Sequence, residues 1–252
     1  MLIGSMNNPN NNILKEVKRI VRNFDFLDLT LEMPKAMPEK LNIKALKVAI
    51  GKTPVVGHTA WYLPMGSPFK ELRYYALGEL EKSAEAFEKL GVKIFNVHFD
   101  TSLGIIDHEH MIEFNLWSLK RLVTIARKHD LDLMAENTPG LFSNPFVLER
   151  VFKKLPRLYL HLDVAHANVG QKNTTPQLVK GFSKRIEHIH ISDNRGKEDE
   201  HLPLGKGFIN WNVMLGAIKK SGYDKTITLE VFTSTKDCLA DKSKLRKMWD
   251  KL

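Results

Sequence analysis

The segment HIHISDNRGKEDEH, residues 188 to 201, carries three imidazoles and four carboxylates within fourteen positions, directly after a β-branched run. Histidine and carboxylate together are the ligand set of a hard or borderline divalent cation. The one cysteine of the chain, Cys238, removes every thiolate-based zinc motif from consideration. A lone histidine on an apolar strand is ordinarily a hydrogen-bonded core residue. Several of them on neighbouring strand ends, among acids, are a different matter. Like charges crowd one another in a low-dielectric cavity, and divalent metal relieves the conflict. A mixed His and carboxylate set suits Zn²⁺ or Mn²⁺ better than Ca²⁺.

Such residues need a scaffold that brings them together. The chain has 252 residues, 43% of them hydrophobic, enough for one large core. Strand patterns recur at LIGSM (2–6), FDFLDLTL (24–31), PVVGH (54–58), IFNVHF (94–99), LDLMAE (131–136), LYLHLD (158–163), IEHIHIS (186–192) and TITLEVF (226–232). Between them, apolar residues step by three and four over 68–90, 109–128 and 211–220. Shorter helical patterns fit 11–22, 39–48, 145–154, 175–183 and 239–250. Eight strand and helix alternations with no linker-like break predict a (β/α)8 TIM barrel as one domain over 1–252, with a doubly wound sheet as the runner-up.

In such a barrel, chemistry sits at the C-terminal strand ends. The third to eighth strands deliver His58, His98, Glu136, Asp163 with His166, His190, and Glu230 to one rim, and the loop after the seventh adds Asp199 and His201. By strand parity His188 and His161 face inward one layer below His190 and Asp163, in supporting roles. His108, His110 and His129 fall in helical regions, where a surface location is expected.

The segments GHTAWYLPMGSP (57–68), NVHFD (96–100), AENTPG (135–140), HLDVAHAN (161–168), HIHISDN (188–194), DEHLPLGKGFINW (199–211) and TLEVF (228–232) resemble, in order, those of the xylose isomerase-like TIM-barrel superfamily. That superfamily joins sugar-phosphate isomerases and epimerases to endonuclease IV. The isomerase branch implies one metal on Glu136, Asp163, His190 and Glu230, with Glu136 and Glu230 also shuttling a proton beside a sugar carbonyl and His166 contacting substrate. The endonuclease branch implies up to three zinc ions on those four residues together with His58, His98, His166, Asp199 and His201. Departures are specific. The nuclease's Asp-Thr-Cys-His is Asp163, Val164, Ala165, His166 here, and its His-Leu-Asn-Asp is His190, Ile191, Ser192, Asp193.

Two functions follow, in this order: a metal-dependent isomerase or epimerase of a small sugar, sugar phosphate or polyol, and a phosphodiester hydrolase acting at abasic sites in DNA. A barrel that binds metal without catalysis ranks third. Arg195 and Lys206 are candidate phosphate contacts, and Trp61 a candidate substrate contact. The net charge of +9 fits DNA, an anionic sugar or a lysine-rich surface. No apolar run approaches the roughly 18 residues of a membrane span, and the start MLIGSMNNP does not read as a secretory leader, so a cytoplasmic location is the expectation.

Overall fold

Alternation within the strands decides what faces the barrel axis. In IEHIHI, Ile186, His188 and His190 share one face while Ile189 and Ile191 face the other. Both faces are largely buried, as in a parallel sheet covered by helices. The computed structural model describes residues 1–101 and 106–252. Its strands are β1 (Leu2–Met6), β2 (Phe26–Leu31), β3 (Val55–Thr59), β4 (Ile94–His98), β5 (Asp132–Glu136), β6 (Tyr159–Asp163), β7 (Ile186–Ile191) and β8 (Thr226–Leu229). All run parallel, in sequence order, and β1 pairs with β8 to close the barrel. The helices are α1 (Ile13–Asn23), α2 (Ile43–Ile50), α3 (Lys70–Leu90), α4 (His108–Lys128), α5 (Pro145–Lys154), α6 (Thr175–Phe182), α7 (Trp211–Lys220) and α8 (Thr235–Asp250). This is the eightfold barrel that the sequence predicts.

Capping moves two helix starts from their expected places. Asn42 accepts from the Ala45 N–H at 3.0 Å, so α2 begins at Ile43 after a separate 3-10 turn, Pro38–Lys40. Ser234 accepts from the Asp237 N–H at 3.2 Å, which starts α8 four residues before the expected 239. At the eighth strand, ladder pairing stops at Leu229, so Glu230 is the first residue beyond β8.

The barrel interior is layered. At the bottom, Phe26, Val56 and Met134 form a small apolar cluster with Ile94 and Tyr159 against it. Gly4 is required here, because a Cβ at that position would collide with the Phe26 ring. Above that plug the inward positions become polar: Asp28, His58, Asn96, Glu136, His161, His188, His190 and Thr228 are all buried. Register places His98 beside Glu136, Glu136 beside His161, and Asp163 beside His190. Among the described residues, no helix is long and apolar enough to cross a membrane.

Candidate metal centre

The rim side chains gather into ligand groups that share members. His58, His98 and Glu136 each offer one ligand atom within 4.8 Å of the others, and so do Asp163, His190 and Glu230. Glu136 belongs also to a group with Asp163 and His166, and Asp163 joins that group to the one with His190 and Glu230. Close pairs fix the arrangement: His98 Nε2 lies 3.1 Å from Glu136 Oε2, and His190 Nδ1 lies 3.1 Å from Glu230 Oε2. Asp199 Oδ2 sits 3.0 Å from His166 Nε2 and 3.2 Å from His201 Nε2, a third gathering at the outer lip.

Neighbouring residues hold these ligands in place. Asn137 donates to the Asp163 carbonyl at 2.9 Å and accepts from the Asp163 N–H at 2.8 Å. Its own carbonyl lies 2.8 Å from His166 Nδ1, which leaves Nε2 of that ring turned toward Asp199. The loop from 192 to 210 is organised by Asp193, fully buried. Its carboxylate accepts from the N–H groups of Asn194, Gly205 and Ile209 and from the Trp211 indole, at 2.7 to 3.2 Å. Gly207 is needed for this, since a Cβ there would strike Asp193 and the Asn194 carbonyl. The loop returns through an antiparallel bridge between Asp193 and Leu202, placing Asp199 and His201 over the rim. His201 sits at φ +46°, a left-handed conformation that side chains other than glycine adopt at a cost.

Electrostatics and hydrogen-bond accounting both fit a cation here. Burial drives the Asp163 carboxyl well above the ordinary carboxylate range; His166 opposes this, while Glu230, Glu136 and Asp199 add repulsion. Burial also acts on Glu136, yet His161 and His98 outweigh it and hold that carboxyl well below its usual value. For Glu230, burial is overcome by His190 and His201, and the carboxyl falls to about 2. Burial lowers the His58 imidazole to about 4, against the pull of Asp28. Burial thus pushes one carboxyl up beside two that neighbouring imidazoles hold down. Several polar atoms meanwhile lack any hydrogen-bond partner: Nδ1 of His58, His98 and His201, Oδ2 of Asp163 and Oδ1 of Asp199. Buried orphans of this kind are costly, and a divalent ion would accept lone pairs from such a set.

Other candidate residues lie outside these ligand groups. Trp61 is 67% exposed on the loop after β3, edge-on to Tyr62 at 5.8 Å. Arg195 is half-exposed and its guanidinium pairs with Glu200, so its charge is already engaged. Lys206 is exposed on the loop that Asp193 organises. His108 and His110 are at the surface as expected, but His129 is buried. It caps α4, with its N–H to the carbonyls of Ile125 and Ala126 and its Nδ1 2.7 Å from Glu88. Strand parity also acts on β2, where the sequence pattern gave no signal of a site. There Asp28 points inward between Phe26 and Thr30 and lies against His188 and His190. Glu32, half-buried just past β2, is raised by burial to about 7, with His98 and Glu230 acting in opposite senses. Asn96 donates to Glu136 at 2.5 Å from β4.

Comparison with known proteins agrees with this architecture. The family described as xylose isomerase-like TIM barrel matches residues 15–249. The chain belongs to that family. Within reach of this xylose isomerase-like barrel is an uncharacterized protein of Methanocaldococcus jannaschii, 30% identical over 172 residues, which are 67% of this chain and 66% of that protein. A probable endonuclease 4 of Aquifex aeolicus is 26% identical over 179 residues, 63% of each chain. The chain thus spans two thirds or less of the length of these curated relatives. Among solved structures, a D-tagatose 3-epimerase-like protein superposes with a TM-score of 0.88 at 24% identity, covering 99% of this chain and 97% of that one.

Proposed function

We propose that this xylose isomerase-like barrel is a metal-dependent hydrolase of phosphate esters, with a multinuclear centre at the barrel mouth. One observation carries the reading: Glu136 is shared between a group with His58 and His98 and a group with Asp163 and His166. A single-metal isomerase site uses Glu136, Asp163, His190 and Glu230 and leaves His58 and His98 without employment. A bridging carboxylate flanked by two ligand groups is the arrangement of two-metal phosphoester chemistry. His58, His98 and Glu136 would hold one ion, Glu136 with Asp163, His190 and Glu230 a second, and His166, Asp199 and His201 a third. Bound there, Zn²⁺ or Mn²⁺ would supply Lewis-acid neutralisation of phosphoryl oxygens and a water acidic enough to ionise near neutral pH.

The protein's own groups prepare the site for that chemistry. Asn96, His98 and His161 surround Glu136 Oε2 at 2.5 to 3.1 Å, which keeps the carboxylate ionised and fixed in rotation. Asp199 turns His166 and His201 toward one point, and Phe232 packs edge-on against His201 at 5.2 Å. Trp61 and Tyr62, both exposed, stand beside the mouth as faces for an aromatic or sugar portion of substrate. The probable endonuclease 4 relative supports DNA containing an abasic site as the substrate to try first.

The epimerase reading keeps one observation in its favour, the pair Glu136 and Glu230 flanking Asp163 and His190, together with the fold shared with the epimerase-like structure. Metal stoichiometry separates the two readings. Purified protein loaded with Zn²⁺ or Mn²⁺ is expected to hold two or three ions per chain by elemental analysis and to nick an abasic-site duplex. One ion per chain, an intact duplex and turnover of a ketose would replace the hydrolase with the isomerase.

A further inference from the structure

Beneath the rim lies a charged group that neither reading uses. Asp28 is fully buried on β2, and its Oδ2 lies 2.7 Å from His190 Nε2, 3.2 Å from His188 Nε2 and 2.8 Å from Thr228 Oγ1. Its other oxygen, Oδ1, has no hydrogen-bond partner and faces His58 Nδ1 at 3.9 Å. That imidazole nitrogen is unpartnered too. One carboxylate oxygen therefore backs the candidate ligand His190 together with His188 and Thr228, while the other oxygen makes no hydrogen bond. The cluster of His161, His188 and His190 has ligand-type spacing. Yet Nε2 of both His188 and His190 already faces Asp28, which makes these rings a hydrogen-bonded floor and not a separate cation site.

We infer that Asp28 is a positioning residue for the metal centre, holding His190 with its proton on Nε2. His190 is left to coordinate through Nδ1, the atom that faces Glu230 at 3.1 Å. A carboxylate behind a ligating imidazole both orients the ring and raises its basicity. His188 completes the floor: its Nδ1 meets Thr226 Oγ1 at 2.7 Å, so its contact with Asp28 is made from the other nitrogen. The inference rests on the metal-centre reading of the rim.

Its test is Asp28→Asn, in which a neutral amide replaces the charge that holds the Nε2 proton of His190. Zn²⁺ affinity, measured by competition with a chromophoric chelator, is expected to fall about 10- to 100-fold. Thr226→Val removes a hydrogen bond from the same floor without touching Asp28. It is expected to lower the unfolding temperature and leave Zn²⁺ affinity within about twofold. Wild-type protein that binds no Zn²⁺ defeats the metal-centre reading itself; tight wild-type binding that Asp28→Asn retains overturns the role of Asp28 alone. Should Asp28→Asn fail to fold, side-chain ¹⁵N correlation spectra of the Zn²⁺-loaded wild type decide. A proton on Nε2 of His190 supports the inference, and a proton on its Nδ1 refutes it.

Discussion

The two ends of the barrel are built on opposite principles. At the bottom, apolar side chains fill the interior and the charges outside it are matched: Asp25 receives Lys242 and Arg246, and Glu187 receives Lys225. At the mouth, acids and imidazoles are buried together in groups with ligand-type spacing. Apolar packing fills one end, and buried ligand-type side chains gather at the other. Stability is concentrated where no chemistry occurs, as expected for this fold.

Substitutions at each end should therefore move different quantities. Phe26→Ala, which empties the centre of the bottom plug, is expected to cost about 3–5 kcal/mol by chemical unfolding while the metal content of the folded protein stays as in the wild type. Loss of metal in step with stability would end the separation between the two regions. At the mouth, His201→Gly removes the backbone cost of φ +46° together with a candidate ligand. Stability without metal should rise by about 1 kcal/mol while bound metal per chain falls; a fall in both would show that His201 serves packing instead.

The smallest effect is expected at Asp25. Burial raises its carboxyl, but the Lys242 contact, the Ile3 N–H and Arg246 together bring it below the ordinary value. A depressed folded-state pKa stabilises above the unfolded value near 4 and loses that contribution as pH falls through the folded value. Asp25→Asn should thus cost less than about 1 kcal/mol at neutral pH, as partly exposed pairs do, and nothing in strong acid. A difference that persists at pH 2 in thermal unfolding would assign the loss to packing.

The barrel was legible because short apolar runs such as IFNVHF alternate with segments whose apolar residues step by three and four, such as 109–128. The rim residues were legible for a related reason: parity carries a strand-end side chain inward, and His98, Glu136, Asp163 and His190 all lie at or near the ends of such runs. Asp28 escaped because it sits mid-strand among leucines, in FLDLTL, where only the alternation of Phe26, Asp28 and Thr30 marks it as inward. Asp193 escaped because its value lies in backbone N–H groups up to sixteen residues away, which no local pattern reports. Arg195 was legible as a cation, but its partner Glu200 is set by the fold of the loop. His129 shows the converse, a helix-end histidine buried by a glutamate from the neighbouring helix α3.

The Phe26 ring lies over Gly4 at the lower end of the barrel, opposite the candidate ligands. On the proposed reading, ions, substrate and product would pass through the mouth beneath the 192–210 loop, metals would load before a large ligand covers it, and a bound ligand would be a stopper on them. Chelators should strip the free protein quickly and the liganded protein only as fast as its ligand departs.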